Sequence, residues 1–205
     1  MKTFPRLLGK TALIIAVLLA LGAGFVYSGI YNIGATQGHT KPLAQIFRLV
    51  MMRSVVAHAR GISPPADFNS QDHALAEKGA GHYAEMCRTC HGAPGKKPDS
   101  WQLYPPAPDL ADALRVTRWS DSEVFWIIKN GIKDTGMSAF GQSHDDEEIW
   151  ALTAFVRQLD SLTPDQYHNM SEQAAMKEAH GHEEHGTEKS RMSDSKGKAE
   201  PPHQH

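Results

Sequence analysis

Acidic residues are missing from the first 66 residues of this 205-residue sequence. Nothing before Asp67 is acidic, while Lys2, Arg6, Lys10, Lys41, Arg48, Arg53 and Arg60 are all basic. The formal net charge of -2 hides this imbalance, because residues 67–160 hold fifteen acids against nine bases. The basic stretch is largely apolar and contains a membrane signal, which argues against a nucleic-acid partner. Cysteine is nearly absent too. The two present, Cys87 and Cys90, are three residues apart. A disulfide closing so short a loop would remove little entropy from the unfolded chain, so a stapled scaffold is excluded. A structural zinc site wants four protein ligands, and no second Cys or His pair stands at suitable spacing. No stretch alternates apolar and polar residues as a half-buried strand would. What remains is one ordinary domain with appendages and two thiols whose use is chemical.

Lys2, Arg6 and Lys10 precede an uncharged run from Thr11 through Gln37, most apolar at Leu13–Leu21. A run of this length can cross a bilayer as a helix, which takes about 20 apolar residues. Basic residues ahead of it hold that end in the cytoplasm, so the chain downstream is expected in the periplasm. Ala20-Leu21-Gly22 has the small-residue spacing of a cleavage site, and cleavage would leave a soluble periplasmic protein. Phe25, Val26, Tyr27, Ile30 and Tyr31 continue past that point and favour an uncleaved, single-pass anchor in a bacterial inner membrane.

Composition divides the chain into an anchor over 1–33, a basic linker helix within 34–66, a compact domain over 67–162 and a polar tail over 163–205. Residues 42–60 read as a helix ended by Gly61 and Pro64-Pro65, with Leu43, Ile46, Phe47, Val50 and Ala57 on one face. Such a helix either lies on anionic headgroups or packs on the compact domain or a neighbouring subunit. Within the domain a helix is expected over about Gln71–Met86, then a proline-rich loop over 99–112. Ser120-x-x-Glu123 predicts a capped helix that stops at Gly131. Another starts near Ser143, where Asp145, Asp146, Glu147 and Glu148 suit its positive end. Its Ile149, Leu152, Phe155, Val156 and Leu159 recur at helical spacing. Thr163-Pro164-Asp165-Gln166 can cap one more. The predicted fold is all-α.

The chemistry is concentrated in Cys87-Arg88-Thr89-Cys90-His91, a C-x-x-C-H sequence. Two thiols at this spacing each reach one vinyl group of a single porphyrin and form thioethers. His91 then sits under the iron and offers it an imidazole nitrogen. A thioredoxin-like C-x-x-C would want a βαβ pattern around it, and none is present. The motif therefore predicts one covalent haem c, with His91 as a metal ligand. For the opposite ligand the domain offers only two methionines, Met86 and Met137. Met86 adjoins Cys87 and is pinned at the attachment side. Met137 lies between two predicted helices, flanked by glycine and small residues that let backbone approach a porphyrin closely. A loop methionine is also a common gap filler, and of the other possible ligands His144, His73 and His82 only His144, on the same side of the sequence as Met137, is a serious rival. The haem tips the balance to Met137.

The segments from Gly81 to Gly95, Pro108-Asp109-Leu110, Gly136 to Phe140 and Glu148 to Phe155 resemble parts of class I c-type cytochromes of the membrane-anchored, monohaem kind. The resemblance covers roughly residues 70–162. It implies the cytochrome c fold, helices around a covalently bound haem. It implies that the first and last helices cross closely, with Gly79 and Tyr83 meeting Trp150, Ala151, Ala154 or Phe155. It implies too that the Pro108 carbonyl accepts the second ring N–H of His91 and so fixes the imidazole tautomer. Ser138 stands where relatives often have proline after the axial methionine.

The expected function is one-electron transfer by Fe(III)/Fe(II) cycling, as a carrier or as a non-catalytic subunit of a membrane oxidoreductase complex. Its partners would be a redox-protein donor and acceptor and the membrane. Two rival classes are an enzyme with an open iron and a metal-handling or sensor protein. The tail histidines His180, His182, His185, His203 and His205 read first as a solvated tract that binds divalent metal weakly. Trp126 and Trp101 can touch haem propionates, though packing and loop anchoring are the simpler roles.

Overall fold

A computed structural model describes residues 4–34, 37–99, 103–112 and 118–176. Trp101 and the five tail histidines lie outside them. The chain forms two units, Met1–His39 and Thr40–His205.

The first unit is dominated by α1, Phe4–Ser28, which runs through Ala20-Leu21-Gly22 without a break. Its segment Gly9–Ser28 is long and apolar enough to cross a membrane and has no buried side chains. A membrane anchor and a signal peptide both fit this helix.

The second unit is helical, with no strand among the described residues. It contains α2 (Lys41–Ala59), α3 (His73–His82), the short α4 (Arg88–His91), α5 (Asp121–Asn130), α6 (Asp146–Gln158) and α7 (residues 164–176). The Asp72 carboxylate caps α3 by accepting from Ala74 N and Leu75 N. Reciprocal capping boxes start the next two helices: Ser120 with Glu123 for α5, and Asp145 with Glu148 for α6. The last of these explains why α6 begins after Asp145 and not at Ser143. Thr163 and Gln166 exchange backbone and side-chain bonds in the same way at the start of α7.

The centre of the unit is the crossing of α3 and α6. A Cβ on Gly79 would lie 2.4 Å from the Ala151 carbonyl oxygen, so only glycine allows the two backbones to approach this closely. One turn on, the rings of Tyr83 and Phe155 are 5.1 Å apart. Trp150 stacks on Phe125 at 4.2 Å and meets Phe68 at 4.7 Å, which brings α5 and the chain before α3 into the same core. Arg157 locks α5 to α6 by donating to Asp121 Oδ1 at 2.6 Å and to the Trp119 carbonyl. Gln158 Nε2 donates to the carbonyls of Ser70 and Asp72 at the start of α3.

The core reaches beyond residues 67–162. Tyr167, Met170 and Ala174 of α7 are buried in it. On the other side Val55 and Ala59 of α2 are 1% and 4% exposed, the His58 ring lies 5.6 Å from Trp126, and Ser122 Oγ donates to the Ile62 carbonyl at 2.9 Å. Of the environments open to the linker helix, contact with the compact domain therefore holds for its C-terminal half. Its N-terminal half leaves Ile46, Phe47, Leu49 and Val50 exposed.

Candidate functional site

The chain reaches the two cysteines through an irregular turn. After α3 the backbone widens into a π-helical turn over Tyr83–Cys87, then tightens into α4. π-turns inside helices recur at functional sites because the extra residue redirects the side chains that follow. Here the redirected residues are Cys87, Cys90 and His91. Neither thiol is in a disulfide, and both are half-buried. Burial, reinforced by the neighbouring Cys90, pushes the Cys87 thiol up to about 12.

His91 is held from several directions. Its Nδ1 lies 2.8 Å from the Pro108 carbonyl oxygen, the distance of an N–H donating to that carbonyl. Its own carbonyl accepts from Leu110 N at 3.1 Å, so the 108–110 loop is bonded to both the ring and the backbone of one residue. Tyr83, fully buried, donates its hydroxyl to the Gly92 carbonyl at 2.8 Å, and Asp99 N donates to the Thr89 carbonyl at 2.8 Å. Gly92 has φ +73, and a Cβ there would lie 2.8 Å from the Lys96 carbonyl oxygen. The turn that closes the motif therefore requires glycine. Desolvation lowers the His91 pKa, opposed in part by the Pro108 bond and by Asp109. A ring kept neutral with Nδ1 committed leaves Nε2 as the nitrogen open to a metal.

Met137 sits in the loop after α5. Gly131 turns this loop back with φ +66, and a Cβ there would lie 2.6 Å from the Met137 carbonyl oxygen. Ile132 N donates to that same carbonyl at 3.3 Å, and Thr135 Oγ1 donates to the Ile132 carbonyl while accepting from Met137 N. The Met137 side chain is half-buried against the core cluster on which Cys87 also packs. The rival histidines are placed differently. His73 is exposed, and the rings of His82 and His144 lie edge to face 5.2 Å apart, His144 also 2.9 Å from Ser143 Oγ. Trp126 packs against His58.

A haem fits the chemistry of this donor set. Among the described residues no three His, Cys, Asp or Glu side chains converge to hold a bare metal ion. The motif instead offers two thiols on one helical face beside a buried imidazole with one nitrogen available. Those are the groups that bond a porphyrin's edge and its iron.

Residues 74–156 match the family described as Cytochrome C oxidase, cbb3-type, subunit III. They form a c-type cytochrome domain. No curated protein matches the chain at a significant level. Cys87, Cys90, His91, Pro108 and Met137 all fall inside the matched cytochrome segment, whereas α1, α2 and α7 fall outside it. The cytochrome domain supports haem-based electron transfer with redox partners, as a carrier or an oxidase subunit. Nothing in the residue pattern pointed to the π-turn or to the Tyr83–Gly92 bond, and packing of α2 on the domain was one open alternative with no named partner for Trp126.

Proposed function

We propose that this chain is a periplasm-facing, membrane-anchored cytochrome that passes single electrons through one covalently bound haem. Cys87 and Cys90 would hold it as thioethers, with His91 and Met137 as the two axial ligands. The observation that carries this reading is the C-x-x-C-H turn with its histidine buried and pinned through Nδ1 to the Pro108 carbonyl.

The haem, when bound, supplies an iron that changes by one electron between ferric and ferrous states. The chain's own residues do the rest. Pro108 fixes the tautomer and the plane of the His91 ring. Tyr83 ties the end of the attachment turn to the core, so little has to reorganise when the charge changes. A thioether from Met137, carried on the 131–137 loop, would favour the reduced iron and raise the potential. With His91 and Met137 both engaged, no coordination site would be open to substrate, and the chain would act as a carrier or subunit and not as a catalyst. The match to an oxidase subunit supports a place in a membrane oxidoreductase complex.

The test is spectroscopic. The ferric protein is expected to show a sulfur–iron charge-transfer band that Met137→Ala abolishes, and ferrous wild type should bind little carbon monoxide. A band that survives Met137→Ala, or ready carbon monoxide binding by wild type, contradicts the His/Met assignment.

A further inference from the structure

The hydrogen bonds around Met137 close within its own loop. Ile132 N donates to the Met137 carbonyl, and Thr135 Oγ1 joins the Ile132 carbonyl to Met137 N. They shape the loop but do not fix it to another segment. A packing contact from outside stands directly beside the methionine. A Cβ on Gly136 would lie 3.0 Å from Leu103 Cδ2, 3.2 Å from Cδ1 and 3.6 Å from Cγ. The branched end of Leu103 therefore covers the Gly136 backbone. The φ of Gly136 is not positive, so what its missing side chain provides is room for this leucine.

Leu103 belongs to the stretch that also holds the histidine. Five residues on, the Pro108 carbonyl accepts from His91 Nδ1, and Leu110 N donates to the His91 carbonyl. Residues 103–110 thus reach both candidate ligand segments, one through hydrogen bonds and the other through packing. Packing attraction is short-ranged, and a gap of a fraction of an ångström forfeits much of it. A thioether favours ferrous iron, so in the ferric state the bond leans most on the chain to keep sulfur in place. The simpler role for half-buried Leu103 is general stability. That role would change how much protein is folded without changing ligation in the folded fraction.

We propose that Leu103 is a positioning residue for Met137. Packed on Gly136, it holds the sulfur-bearing loop where axial ligation needs it, and the 103–110 stretch straps the two ligand sides together. This rests on the reading of Met137 as the second axial ligand.

The experiment uses the full chain with its haem attached, as wild type, Leu103→Ala and Leu103→Met. The ferric sulfur–iron band and imidazole binding to the ferric protein are read at a temperature where circular dichroism shows every variant folded. Leu103→Ala should weaken the band at least threefold and tighten imidazole binding at least threefold, with haem staining on a denaturing gel unchanged. Leu103→Met conserves volume and should restore both readings. Gly136→Ala pushes a methyl toward Leu103 and should also weaken the band. Combined with Leu103→Ala that methyl has room, so the double variant should keep more of the band than the two single losses multiplied together.

An undiminished band and unchanged imidazole affinity in folded Leu103→Ala overturn the proposal, and a wild type that shows the band leaves the His/Met reading standing. A band that falls only in step with the folded fraction, or losses that simply multiply in the double variant, overturn it in the same way. A wild type without the band overturns Met137 ligation and this positioning role together.

Discussion

His91 and Met137, the two candidate iron ligands, are held in contrasting ways. His91 sits on a helical turn bonded to the domain through its ring, its own carbonyl and the carbonyls of Thr89 and Gly92. Met137 sits in a loop whose shape depends on Gly131 and on the two bonds of Thr135 Oγ1. The histidine side spreads its stability over many modest bonds, each worth about 1 kcal/mol. The methionine side rests on fewer bonds, the two of Thr135 Oγ1 and the one from Ile132 N to the Met137 carbonyl, and on the turn at Gly131. Attachment should therefore survive most single changes on the methionine side, while the iron's ligand field should not.

The sharpest way to break this contrast is to remove the thiols. Cys87→Ala with Cys90→Ala should lower haem staining on a denaturing gel at least tenfold, whatever happens at Met137. Next comes the crossing that supports both sides. Gly79→Ala drives a methyl into the Ala151 carbonyl, and overpacking of this kind costs about 1–3 kcal/mol. A lowered thermal midpoint, with the sulfur–iron band lost only as the fold melts, is the expected result. Gly131→Ala is more local. Forcing a side chain into φ +66 costs about 1–3 kcal/mol, and the new Cβ meets Met137 backbone. Here the sulfur–iron band should weaken at least threefold while covalent haem is retained, and equal loss of both would erase the distinction between the two sides.

The smallest effect sharpens the histidine side. Tyr83→Phe removes the bond to the Gly92 carbonyl at a cost of about 1 kcal/mol, readable in chemical denaturation. It also changes the alkaline limb. Burial raises the pKa of both Tyr83 and Tyr167 above 10. As pH rises past 10 the unfolded chain releases these protons before the folded one does, so stability falls with increasing pH. The stability tied to these groups is present below pH 10, and Tyr83→Phe should make the fall above it shallower.

Much of this was legible in the residue order because the chemistry is local. The attachment motif needs five consecutive residues, and the capping box at Ser120–Glu123 needs four. Periodicity and the acidic start together found α6, and the family resemblance placed Gly79 at the helix crossing and Pro108 on His91. What escaped depends on contacts between distant segments. The capping role of Asp145 hid among four consecutive acids. The burial of Val55 and Ala59 required knowing that Trp126 faces α2, and a π-turn leaves no compositional trace. Tyr167 entered the core through a helix whose cap, Thr163–Gln166, was visible while its partners were not.

The most direct measurement is the intact mass of the purified chain under denaturing conditions, taken from a host that matures c-type cytochromes, together with its absorbance. The polypeptide should carry the added mass of one haem that survives unfolding, with the absorbance of a porphyrin at the same elution position. A chain weighing only its polypeptide, or one that sheds its haem on denaturation, would contradict attachment through Cys87 and Cys90 and the function built on it.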